Sequence, residues 1–227
     1  MNCVLLELVD HIVRRLQDEK DPHSGKQLWI ALAGPPGSGK STICSKLVSS
    51  LSGRGVPAAI LPMDGFHYYR SELDTMQNRE EAHARRGAHW TFNAHKFVDM
   101  LARMKDEGSG RAPSFDHAHG DPVEDAISIE REHRVILVEG NYVLLYDIEP
   151  WRKLQHLFDE KWLIVCPEHV LRERVIQRNS VAWGWDRERT ARRVDENDMV
   201  NARLVMEVSS KYAERVITSQ QDDGWCG

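Results

Sequence analysis

Gly34-Pro35-Pro36-Gly37-Ser38-Gly39-Lys40-Ser41-Thr42 follows the apolar run Gln27–Ala33 and precedes Ile43, Leu47 and Leu51 at helical spacing. The nine residues fit G-x-x-x-x-G-K-[ST], a pattern that requires a buried strand before it and a helix after it. Its glycines let successive backbone N–H groups face phosphate oxygens, and the helix N-terminus adds partial positive charge. The motif therefore predicts a nucleotide phosphate site built from residues 34–42. In it Lys40 reaches the β- and γ-phosphates and the Ser41 hydroxyl holds Mg²⁺. Strand, loop and helix in this order also predict an α/β chain.

Composition sets the outer bounds. The chain has 227 residues, 41% of them hydrophobic, which suits one α/β domain with a small subdomain. A formal charge of −5 lacks the basic excess of a general nucleic-acid binder. Cys3, Cys44, Cys166 and Cys226 are far apart, so neither a disulfide framework nor a zinc site is expected. No apolar run reaches the roughly 18 residues that span a bilayer. Val4, Leu5, Leu8, Ile12, Val13 and Leu16 mark one face of an amphipathic helix over 2–19, whose acidic residues argue against a targeting segment. These features predict a cytoplasmic protein without a membrane or nucleic-acid partner.

Downstream of the loop, Val56–Met63 reads as a buried strand beside the first one, ending at Asp64. Carboxyl ends of parallel strands carry ligands in open α/β sheets, so Asp64 is placed to accept a proton or help hold a metal. Polar residues crowd 71–92, and Arg85-Arg86-Gly87-Ala88-His89-Trp90 reads as a substrate-gripping segment. Asn93 is positioned to cap a helix running to Glu107. Residues 111–115 read as a short edge strand, and 113–122 as a polar, substrate-facing loop that includes Asp116 and His119. Val135–Val138 forms a third strand ending at Glu139, an acidic position suited to orienting Mg²⁺. A fourth strand, Lys161–Val165, precedes a helix from Glu168 that carries Arg172, Arg174 and Arg178. That helix is expected to break over Asn179–Asp186. Asp186 then caps the next one, giving two helices joined by an Arg-bearing lid loop. Tyr212–Thr218 reads as a last strand beside the phosphate loop.

Together these segments resemble the phosphoribulokinase/uridine kinase family of P-loop kinases, which includes pantothenate kinase. The marks are residues 34–42, "MDGFH" with Asp64, "RRGAHWTFNAHKF" at 85–97, "PSFDHAHGDP" at 113–122, "VILVEGNYVLL" at 135–145 and the "RERVIQRN" helix. "RVDENDMVNARLV" at 193–205 resembles the branch with bacterial fructose kinase-like proteins and a yeast ATP-dependent kinase. The resemblance implies a three-layer α/β/α P-loop NTPase fold with a mainly parallel central sheet, a lid over about 178–192 and a small acceptor-binding insertion over about 64–133. An N-terminal helix (1–26) would pack on this 27–219 kinase domain, followed by a flexible tail, 220–227. It further implies ATP and Mg²⁺ as cofactors, with Gly34, Pro35, Pro36, Gly37, Ser38, Gly39, Lys40, Ser41 and Thr42 binding the nucleotide.

By the same resemblance Asp64 is the general base, and Lys40, Arg174 and Arg178 join it in catalysis. Asp64, His67, Arg86, His89, Asp116 and His119 would bind the acceptor, and Ser41 and Glu139 the metal. The partner implied is a small-molecule hydroxyl acceptor, the protein being a monomer or homodimer. Ser180-Val-Ala-Trp-Gly-Trp185 departs from the charged uridine kinase lid, and 113–122 lacks the Tyr and Arg placements that hold uracil. A sugar or polyol is therefore expected over a nucleoside. The alternatives are a nucleoside monophosphate kinase, using Arg79, Arg85 and Arg86 to grip a phosphate, and an ATPase switch acting on a protein.

Overall fold

The computed structural model describes residues 3–18, 26–116 and 119–219. The expected tail, 220–227, and part of the N-terminal segment lie outside these. Five strands form one parallel sheet: β1 (Leu28–Ala33), β2 (Ala58–Pro62), β5 (Val135–Gly140), β6 (Glu160–Val165) and β7 (Arg215–Thr218). Their order is β2-β5-β1-β6-β7, so β1 is central, with β5 and β6 as its neighbours. The expectation that the strand ending at Asp64 lies beside β1 is corrected: β2 pairs with β5 alone. An apolar run specifies burial but carries no information about its neighbour. Strand β7 pairs with β6, and Ser219, just past its end, would lie 3.8 Å from a side chain added at Gly39.

Side chains alternate across a strand, and both faces of β1 are buried. Leu28, Ile30 and Leu32 join a core with α1 (Cys3–Gln17) and α2 (Lys40–Ser52), through Leu8, Ile12, Ile43 and Leu47. Trp29, Ala31 and Ala33 face the other layer, which includes Phe97 and Leu101 of α5 (Ala94–Glu107) and Val205 and Val208 of α8 (Met199–Tyr212). Helix α1 is pinned to the sheet by polar contacts as well. Glu160 accepts from His11 Nε2 at 2.8 Å, from Arg15 Nε at 3.2 Å and from Trp162 Nε1 at 2.9 Å. Asn93 caps α5, its side chain accepting from the Lys96 N–H at 3.0 Å.

Residues between β2 and α5 form two short helices, α3 (Arg70–Leu73) and α4 (Arg79–Ala84). The polar stretch after α5 differs from expectation. Residues 110–129 make an antiparallel hairpin, β3 (Gly110–Asp116) and β4 (Asp121–Ile129), in a two-stranded sheet of its own. Residues 113–116 and 121–122 are thus strand rather than loop, and β3 is not an edge of the main sheet. The hairpin seats on the turn Met63–Phe66 that follows β2. A side chain at Gly65 would come within 2.0 Å of the Pro113 carbonyl oxygen, and one at Gly140 within 2.4 Å of Met63 Cβ. Sheet, turn and hairpin are therefore stacked at backbone contact distance.

Helix α6 (Glu168–Trp183) runs through the segment expected to break it. It stops at Gly184, whose φ of 65° is a left-handed cap conformation. Asp186 caps α7 (Arg187–Arg193) as expected, accepting from the Arg189 N–H at 2.8 Å. The turn between the helices is short, and Arg187 grips Glu173 with both terminal nitrogens, at 2.8 and 2.5 Å.

The stacking at Gly65 gives the first prediction. Gly65→Ala should cost about 1–3 kcal/mol, lowering the unfolding midpoint by roughly 2–10 °C. Loss of amide protection should concentrate in the 110–129 hairpin, as read by hydrogen exchange. An unchanged midpoint and exchange pattern would show that the contact is not tight.

Candidate active site

The loop after β1 wraps the first turn of α2. Gly37 and Gly39 hold φ of 78° and 91°, which glycine adopts without steric cost. Gly39 is the N-cap of α2 and no side chain bonds to the first-turn amides, which remain available to an anion. A side chain at Gly34 would meet Ser38 Oγ at 2.7 Å, and one at Gly37 would meet Val175 Cγ2 at 2.9 Å. The loop is thus pressed against α6 as well as closed on itself.

Lys40 Nζ donates to the carbonyls of Gly34 (2.8 Å) and Pro35 (3.1 Å) and to Asn141 Oδ1 (2.9 Å). Desolvation pulls its ammonium below the usual lysine range, against the opposing charges of Glu139 and Asp64. Ser41 is exposed and donates to Glu139 Oε1 at 2.8 Å. Glu139 is 7% exposed, and burial raises its carboxyl above the usual range while Lys40 counteracts this. Asp64 occupies the turn after β2, and its charge acts on Lys40, on Glu139 and on Tyr142. One carboxylate from the end of β5, one from the turn after β2 and the loop lysine therefore share a site at the carboxyl ends of the strands.

Arg174 and Arg178 approach from α6. Arg174 Nη1 donates to Gly37 O at 3.3 Å and to Ser219 Oγ at 3.1 Å, bracing the loop from behind. Arg178 is exposed, donates to Asn179 Oδ1 at 3.1 Å, and its charge acts on Lys40 and Asp198. The third arginine of this helix, Arg172, is paired on the surface with Asp195 at 2.7 Å.

The expected acceptor residues divide into two groups. His67 is packed between Phe92 and Phe115, with ring centroids 3.9 and 4.7 Å away, and its Nδ1 lies 2.8 Å from Asp64 O. Arg86 is bonded to Gly120 O, to Tyr68 O at 2.9 Å and to Asp121 Oδ1 at 3.0 Å, and so ties the hairpin to the body. His89 is half-buried, burial lowering its pKa, and meets Tyr142 edge-on at 6.0 Å. Asp116 and His119 are at the hairpin turn. There His119 Nδ1 lies 2.6 Å from Asp116 Oδ2, which raises the imidazole pKa.

The sequence profile of the phosphoribulokinase/uridine kinase family matches residues 29–223. The chain belongs to this family. A Schizosaccharomyces pombe protein with the provisional name of uridine kinase is 43% identical over 185 residues, covering 79% of this chain and 78% of that one. The solved structure of a Silicibacter sp. TM1040 protein, provisionally named a fructose transport system kinase, superposes with a TM-score of 0.82 at 31% identity. It covers 96% of this chain and 99% of that one. YFH7 from Saccharomyces cerevisiae shares the fold, with a TM-score of 0.80 at 19% identity over 96% of this chain and 99% of that one. The protein is thus a P-loop kinase, an ATP-dependent phosphotransferase of the class that phosphorylates alcohol groups.

Its residues fit the cofactors that this family implies. The glycine cradle at 34, 37 and 39 has no room for side chains at 34 and 37, and uncapped helix amides stand at its floor. Ser41 Oγ with a Glu139 oxygen is the sparse, hard-oxygen set that Mg²⁺ takes beside phosphates. Residues that sequence reading passed over complete the site. Asn141 holds Lys40, and Tyr142 Oη donates to Gly87 O at 2.7 Å. Beyond α7, Asn197 donates to Arg86 O at 2.9 Å and Asn201 Oδ1 accepts from Arg85 at 3.2 Å, holding the 85–86 segment. Asn141 and Tyr142 were within the quoted "VILVEGNYVLL" segment, so their signal was proximity to Glu139.

Burial of Glu139 has a pH consequence. A carboxyl raised in the folded state binds its proton more tightly there than in the unfolded chain. Its contribution to stability is greatest below the ordinary glutamate value of 4.5 and is lost as pH rises through the higher folded value. Without nucleotide, Glu139→Gln should therefore lose this component of the decline. Its unfolding midpoint should gain on the wild type as pH rises from 4 to 7. A constant difference across that range would show that Glu139 titrates alike in both states.

Proposed function

We propose that this protein transfers the γ-phosphate of ATP to a hydroxyl of a small sugar, polyol or related metabolite, with Asp64 as general base. The observation that carries this reading is the placement of Asp64 within the same charge cluster as Lys40 and Glu139. That cluster is at the end of the sheet where the phosphate loop opens. A switch ATPase needs the loop, the metal carboxylate and a positioned water. It has no need of a second carboxylate fixed by a stacked glycine turn.

The acceptor oxygen attacks the γ-phosphorus in line. The new O–P bond forms as the bond to the β,γ-bridging oxygen breaks, and that electron pair leaves with ADP. The acceptor's proton passes to an Asp64 carboxylate oxygen. Lys40 exchanges its carbonyl partners for phosphate oxygens, and its lowered pKa reflects the desolvation that strengthens such a contact. Ser41 and Glu139 would hold Mg²⁺, which would supply positive charge to offset that of the phosphate oxygens. Arg174 fixes the loop through Gly37, and Arg178 is the exposed cation nearest in role to a transition-state clamp. The expected insertion (64–133) and lid (178–192) serve as the acceptor wall and cover in this reading.

The provisional name of the S. pombe relative points to a nucleoside. The hairpin argues otherwise, because the Phe92 and Phe115 rings are occupied by His67 rather than open to a base. Arg86, the cation best placed to grip a phosphate, is spent on Gly120, Tyr68 and Asp121.

Asp64→Asn should keep ATP affinity while acceptor-dependent turnover falls about 10²–10⁴-fold. ADP release with and without a panel of hydroxylated metabolites measures both. Wild-type turnover in the variant would remove Asp64 from the mechanism.

A further inference from the structure

Lys40 meets three hydrogen-bond acceptors, and the phosphate loop supplies only two of them. The carbonyls of Gly34 (2.8 Å) and Pro35 (3.1 Å) belong to the loop that Lys40 itself closes. The third, Asn141 Oδ1 at 2.9 Å, comes from a different element, one residue past the end of β5. An ammonium has three N–H groups, so these bonds use every donor it has. At least one must be given up before Lys40 can bind a phosphate oxygen. Gly34 and Pro35 line the cradle that receives the phosphates, so their bonds are the ones a nucleotide replaces.

Asn141 is fixed differently from the loop carbonyls. Register places Gly140 opposite Ala33, so Asn141 leaves the sheet level with Gly34. The next residue, Tyr142, is fully buried, its ring centroid 5.6 Å from that of Phe92 and 5.7 Å from that of Trp151, and its hydroxyl donates to Gly87 O. The backbone that carries Asn141 is therefore anchored in the core, independently of the loop. Asn141 also differs from the nearby carboxylates. The charges of Glu139 and Asp64 act on Lys40, yet among the described residues neither hydrogen-bonds to it. A carboxylate bonded directly to the ammonium would compete with phosphate for it, since charge-assisted bonds are roughly twice as strong as neutral ones. A carboxamide accepts one N–H and carries no net charge, so it fixes the ammonium without cancelling its attraction for phosphate.

We propose that Asn141 is a positioning residue, which keeps its bond to Lys40 while the loop carbonyls give way to phosphate oxygens and so fixes where the ammonium stands during transfer. This rests on the proposed phosphoryl transfer, and gives the lysine of that transfer a pivot outside the loop. Turnover is read as ADP release with the best compound of the hydroxylated panel, and Mg·ATP affinity by calorimetry without any such compound. Asn141→Leu, similar in size but unable to accept a hydrogen bond, should lower kcat about 10–100-fold and change Mg·ATP affinity by less than about 3-fold. Asn141→Asp keeps the oxygen but adds a charge. It should lose less kcat than the leucine variant, while its Mg·ATP affinity weakens about 10–100-fold. In a Lys40→Met background, Asn141→Leu should have no further effect on kcat, because Asn141 acts through the lysine. A packing defect would instead multiply the loss caused by Lys40→Met and would impair both Asn141 variants alike. Wild-type kcat in Asn141→Leu, or a multiplied loss in the double variant, would overturn this inference and leave the kinase reading standing. Stimulation of ADP release by no hydroxylated compound would overturn the kinase reading by itself. In that case, or should the leucine variant not fold, calorimetry on Asn141→Asp decides the role of Asn141: weakened Mg·ATP affinity supports it and unaltered affinity overturns it.

Discussion

The pairing of β1 with β5 is the constraint on which the rest of the site depends. Its register sets Leu32 opposite Glu139 and Ala33 opposite Gly140, so the phosphate loop and the acidic strand end leave the sheet at the same level. Because of that level, Ser41, the second residue of α2, reaches Glu139 at 2.8 Å, and Lys40 reaches Asn141 at 2.9 Å. A shift of one residue would turn Glu139 to the opposite face of the sheet and separate the carboxylate from the lysine. Both strands are fully buried, so the register is held by a close-packed core on each face. The polar residues at the strand ends are carried along with it.

The same pairing governs Asp64 at second hand. Strand β5 separates β2 from the loop strand, and Gly140 lets Met63 approach β5 closely enough for the following turn to rest on it. Gly65 then admits the Pro113 carbonyl from the hairpin on the other side. Asp64 sits between two glycine contacts that leave its backbone little freedom. That rigidity suits a general base, whose usefulness depends on being held within hydrogen-bond reach of one oxygen. Buried charge around it costs stability, as the raised Glu139 carboxyl and lowered Lys40 ammonium both record. The core clusters on either side of the sheet offset that cost.

The strands of the main sheet were legible because burial on both faces leaves continuous apolar runs, as in Leu28–Ala33 and Val135–Val138. The phosphate loop was legible because its chemistry requires fixed spacing. Strand order was not, since β2 would show the same apolar pattern beside either neighbour. The first strand of the hairpin was legible at 111–115, but its pairing with β4 was not, because much of β4 is exposed and carries no clear alternation. Helix α6 was cut short in the reading because Gly184, its true stop, follows a stretch whose exposed Val181 and Trp183 do not look helical. Arg86 illustrates a different limit. A sequence shows that a guanidinium is present near a site, but not whether backbone carbonyls have already taken its donors.

The π turn at Val194–Asp198 extends this last point. By helical spacing, the residues after Asp186 read as ordinary helix, with nothing to mark a widened turn. The widened turn breaks that spacing and sets Asn197 against Arg86 O. Arg193 and Asp198, at the two ends of the turn, approach only to 3.9 Å, and largely buried charges that fail to meet are a poor way to stabilise a helix, because each keeps much of its desolvation cost.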